Sequence, residues 1–84
     1  MPPAPIDLSA KLASFDTRWD PKLVAELNGQ HVRLVKLEGE FVWHAHADAD
    51  ELFYVLEGEL EIEFRDGVVP LRQREFLPQE QEQA

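Results

Sequence analysis

The chain contains no cysteine, so disulfides, thiolate ligands and thiol nucleophiles are excluded, and the composition suits a reducing compartment, with the cytoplasm as the expectation. Basic residues are scarce as well. Eight Lys and Arg against 17 Asp and Glu leave a formal charge of −9, which repels nucleic acid and anionic lipid and argues against both as partners. No apolar run approaches the length of a membrane span, and the first ten residues, MPPAPIDLSA, have neither a basic nor an apolar targeting region. With 84 residues there is room for one domain, expected over residues 1–84. A chain this short buries roughly 60% of its unfolded surface, so a metal ion or a second subunit would weigh heavily in its stability.

What is present is organised by alternation. Met1 to Pro5 is proline-rich and reads as a flexible lead-in. Ile6, Leu8, Leu12 and Phe15 recur near helical spacing, with Asp7 or Ser9 available as N-cap, which predicts one short helix. Asp16 to Pro21 breaks it, and Trp19 in this connector is expected to be a packing anchor. KLVAEL and HVRLVKL flank Asn28-Gly29, the dipeptide suited to the positive φ angles of a hairpin turn. His31, just beyond, has no partner at ligand spacing and reads as an exposed strand residue.

From Phe41 to His46 a strand is expected that sends Val42, His44 and His46 to one face and Phe41, Trp43 and Ala45 to the other. An acidic link over 47–50 leads to a strand from Glu51 to Leu56, with Glu51, Phe53 and Val55 on one face and Leu52, Tyr54 and Leu56 on the other. After the turn at Glu57-Gly58, Leu60, Ile62 and Phe64 are expected inward, and Glu59, Glu61 and Glu63 on a solvated face. Asp66-Gly67 signals a further hairpin into a strand from Val68 to Leu71. The polar, glutamine-rich stretch 73–84 reads as a loose tail. Short antiparallel strands joined by tight turns, with one short helix in front, describe a small all-β sandwich or barrel.

Two imidazoles two residues apart on a strand share a face. Joined by a carboxylate from the next strand, they make a two-His, one-carboxylate set of the kind that binds a divalent first-row metal and leaves positions open. A bound ion could serve as Lewis acid, as activator of water or as oxygen-activating centre, and the donors alone select none of these. Glu51 strengthens the reading, because a carboxylate sharing a face with Phe53 and Val55 is costly to bury without a partner.

The segment GEFVWHAHADADELFYVLEG, from Gly39 to Gly58, resembles the first conserved motif of the cupin superfamily at His44, His46, Glu51 and Gly58, with Gly39 one residue closer to the first histidine than usual. From about Asp7 to Phe76 the chain is similar to small single-domain cupins of unknown function. The resemblance implies a cupin-like double-stranded β-helix, a jelly roll, with His44, His46 and Glu51 as ligands to manganese, iron, nickel, copper or zinc. It also implies a small polar molecule bound in the barrel, a homodimer, and, for an enzyme, a metal-dependent oxygenase or isomerase.

The family's second motif is not matched. Arg74 stands at its opening glycine, Pro78 comes two residues early, and the motif's histidine is missing. These departures lead to the expectation of a jelly roll incomplete at its C-terminus, with an unpaired sheet edge and an uncovered apolar face that the subunits of a homodimer would cover for each other. They keep open two alternatives, a non-catalytic binding or sensing module and a truncated cupin without chemical activity.

Overall fold

The computed structural model describes residues 1–39, 42–46 and 48–81. It divides into two compact units, Met1–Gly39 and Glu40–Ala84. No helix among the described residues is long and apolar enough to cross a membrane.

The first unit holds a helix and a hairpin. Helix α1 (Leu8–Ala13) starts where Asp7, in extended conformation, accepts the Ala10 N–H at 3.2 Å, and it ends where Ser14 caps the Lys11 carbonyl. Of the two N-cap candidates, Asp7 serves. The helix has only six residues and none is buried, so its caps carry much of its definition. Met1 to Pro5 is exposed and without regular structure.

Strands β1 (Lys22–Leu27) and β2 (Gln30–Leu34) pair antiparallel around Asn28 and Gly29, whose φ angles of 52° and 77° are both left-handed, as a type I′ turn requires. A bulge between Leu23 and Ala25 inserts Val24 and breaks the alternation, so that Val24 and Ala25 are both half-buried. Trp19 departs from the expected packing anchor. It remains exposed, at φ 59°, and ties the connector to the chain after β2 through its backbone N–H to the Lys36 carbonyl (2.8 Å) and its indole N–H to the Glu38 carbonyl (3.3 Å).

The second unit contains β3 (Trp43–His44), β4 (Glu51–Tyr54), β5 (Glu59–Phe64), β6 (Gly67–Arg72) and β7 (Phe76–Gln79). They form a three-stranded sheet in the order β3-β5-β6 and a two-stranded sheet of β4 and β7. The core lies between the two sheets: Ile62 (0% exposed), Leu71 and Val55, with Ala45, Phe53, Leu60, Phe64 and Leu77 packed against them. The alternation of β5 holds in full, with Leu60, Ile62 and Phe64 inward and the three glutamates outward. Pro70 and Pro78, which lack an N–H, lie on strands with one open edge, where proline is tolerated.

Three expectations are corrected. The strand expected over Phe41 to His46 is regular only at Trp43–His44, Phe41 lying outside the described residues. It pairs parallel with β5 rather than antiparallel. The strand from Glu51 is likewise shorter, ending at Tyr54.

The stretch 73–84 is not a loose tail where it is described. Phe76–Gln79 is β7, paired with β4 in the register Glu51↔Gln79 to Tyr54↔Phe76, and Gln81 donates its N–H to Asp50 Oδ1 at 2.7 Å. This strand contributes a single inward apolar residue, Leu77, so no pattern of its own announces it. Residues 82–84 of that expected tail lie outside the described residues.

The turn from β6 into β7 shows what one departure from the second motif costs. The Glu75 N–H closes on the Arg72 carbonyl (3.0 Å) with Arg74 at φ 68°, a left-handed position that glycine adopts at no cost and arginine does not.

Candidate functional site

Local folding decides where the two histidines point. Ala45 packs into the core and its N–H bonds the Glu63 carbonyl at 3.0 Å, while Trp43 stands opposite the fully buried Ile62. The inward side of this strand therefore belongs to Trp43 and Ala45. His44 and His46 share the other side, as the period of two requires, and their side chains are 72% and 65% exposed.

The two imidazoles are engaged by different carboxylates. His44 stands opposite Glu63 across the β3–β5 pair, with Nδ1 at 3.3 Å from Oε1. His46 meets Glu51, which opens β4 with its side chain only 21% exposed. Oε1 accepts the His46 backbone N–H at 2.8 Å, and Oε2 lies 3.7 Å from the ring Nδ1, too far for a hydrogen bond. Of the three candidate ligands the structure thus brings together His46 and Glu51, and turns His44 toward Glu63. Among the described residues no cluster of three His, Cys, Asp or Glu side chains is placed to hold a metal ion.

Gln79, the last residue of β7, was hidden in the stretch read as a tail. It stands opposite Glu51 in the register, donates its side-chain N–H to the His46 carbonyl at 3.0 Å, and is half-buried. Its Oε1 is buried without a hydrogen-bond partner among the described residues. Glu63 likewise carries no mark in the sequence beyond its place in the solvated row of β5. Only the pairing of β3 with β5, remote in sequence, reveals its histidine. His31 is, as expected, an exposed strand residue, near Arg33 and Glu26.

Taken as chemistry, an imidazole, a carboxylate and an unpartnered amide oxygen are the donor types that a divalent cation with nitrogen and oxygen preferences takes. The arrangement does not reproduce the three-ligand face that the spacing suggested.

Comparisons with known proteins agree on the architecture. A family model described as "Cupin domain" matches residues 30–77. The crystal structure of a cupin-2 domain containing protein from Shewanella frigidimarina is similar over 90% of this chain and 74% of its own, with a TM-score of 0.77 and 45% identity. The uncharacterized protein YdbB of Bacillus subtilis is 56% identical over 43 residues, which cover 51% of this chain. The chain spans 38% of the length of that relative.

Proposed function

Since this chain belongs to the cupin domain family, whose model matches residues 30–77, we propose that it binds a divalent first-row metal ion beside β4 and, with it, a small polar molecule. The observation that supports this reading is the His46–Glu51 pair, in which one carboxylate takes the backbone N–H of His46 and faces its ring. His44 is the third ligand that the family resemblance implies. An exposed pair such as His44–Glu63 contributes at most about 1 kcal/mol, so it does not bar His44 from exchanging partners. A bound ion supplies Lewis acidity and open positions for an oxygen-bearing molecule.

Metal analysis of protein prepared without chelator tests this. We expect substoichiometric to near-stoichiometric occupancy that falls severalfold in His46→Ala. Occupancy near zero in the parent, or unchanged in the variant, sinks the reading. Binding or sensing without turnover is the second reading. It draws on the engagement of His44 by Glu63, which leaves two candidate ligands together rather than three.

A homodimer is also proposed, formed through the outer face of the β4–β7 sheet. Leu52, Tyr54 and Phe76 lie there at 66%, 51% and 61% exposure, with Pro78 opposite Leu52, an apolar surface that water covers poorly. Light scattering at micromolar concentration should give the mass of two chains, halved by Leu52→Lys. A monomeric parent overturns the dimer.

A further inference from the structure

We propose that Gln79, rather than His44, completes the donor set around His46 and Glu51, giving a site of one imidazole, one carboxylate and one amide oxygen for a divalent cation of the Mn²⁺ type. The proposal rests on the reading of His46 and Glu51 as a metal-binding pair, and it replaces the third ligand that the sequence resemblance implies.

Three observations carry it. Gln79 and Glu51 are register partners across β4 and β7, and directly opposed residues share a face with Cβ atoms about 5 Å apart. The Gln79 amide is oriented, because its nitrogen donates to the His46 carbonyl at 3.0 Å, and its backbone is held before it by the β4–β7 pairing and after it by the Gln81 N–H on Asp50 Oδ1 at 2.7 Å. Its Oε1 is buried with no hydrogen-bond partner among the described residues, an arrangement that proteins avoid unless something else meets the oxygen.

His44 lacks the first and the third of these properties, and the contact that orients it turns it away from Glu51. Its register partner is Glu63, its Nδ1 lies 3.3 Å from that carboxylate, and its side chain is mostly in solvent. Exchanging an imidazole for an amide oxygen also hardens the site, which moves its preference from Zn²⁺ and Cu²⁺ toward Mn²⁺.

The test is a Mn²⁺ titration of the full chain, read by calorimetry and by paramagnetic broadening of backbone amide signals. Circular dichroism confirms that each variant is folded. Gln79→Leu is expected to weaken Mn²⁺ binding about tenfold or more, in the range that loss of a metal-site partner produces. His44→Ala should change it less than about threefold on the same scale.

Gln79→Glu separates an oxygen donor from a structural brace. Glutamate keeps the oxygen but cannot donate to the His46 carbonyl, so binding near or above the parent value supports the assignment, and binding as weak as in Gln79→Leu overturns it. Broadening should centre on 46, 51 and 79. A titration in which His44→Ala matches His46→Ala while Gln79→Leu matches the parent overturns the role of Gln79 and leaves the metal reading standing. No Mn²⁺ binding by the parent overturns both.

Discussion

Two antiparallel ribbons in this protein have similar size and opposite origins. The β1–β2 hairpin is closed by Asn28 and Gly29, neighbours in sequence that supply both left-handed residues of a type I′ turn. The β4–β7 ribbon joins Glu51–Tyr54 to Phe76–Gln79, with β5 and β6 between them in the chain. Its strands are selected by the ladder and by burial of Phe53, Val55 and Leu77 on the core, not by any turn. A two-residue turn costs little loop entropy and can be written in two letters. A pairing across more than twenty residues must be won by tertiary contacts.

The comparison can be broken most forcefully at the core. Ile62 is fully buried among the residues that the β4–β7 ribbon packs on, and Ile62→Ala should cost about 3 kcal/mol in denaturant unfolding, as buried large-to-small changes do. Hydrogen exchange should then show the amide of Val55, which bonds the Glu75 carbonyl, losing more protection than the amides beside Asn28-Gly29. Equal loss in the two ribbons would remove the distinction.

Smaller, opposite effects are expected at the two turns. Gly29→Ala places a side chain at φ 77° and should destabilise by about 1 kcal/mol, whereas Arg74→Gly relieves φ 68° and should stabilise by a similar amount. Thermal unfolding of the pair checks the signs. A stabilising Gly29→Ala or a destabilising Arg74→Gly would show that side-chain contacts outweigh backbone conformation at that turn.

The candidate site divides along the same line. The shared face of His44 and His46 was legible, because the period of two is a property of any strand. The side it occupies was not. Phe41, Trp43 and Ala45 alternate with Val42, His44 and His46, so both faces mix apolar and polar character, and only the contacts of Ala45 with the core and the register Trp43↔Ile62 assign the inward side to Trp43 and Ala45. Glu51 was legible as an acid on an otherwise apolar face, and its contact with His46 follows from the short link between them. Glu63 and Gln79 were not, since the first looked like one tooth of a solvated row and the second sat in a glutamine-rich stretch.

By itself the sequence determined the all-β class, the short helix before the first strand, the Asn28-Gly29 hairpin, the inward set of β5 and the cupin resemblance of residues 39–58. All of these rest on local turn chemistry, alternation or spacing. The tertiary structure alone decided that β3 runs parallel to β5, that residues 76–79 form a strand, and that His44 and His46 answer to different carboxylates. Those outcomes depend on which segments remote in sequence come to share a sheet, a choice made by burial around Ile62 rather than by any single stretch of chain.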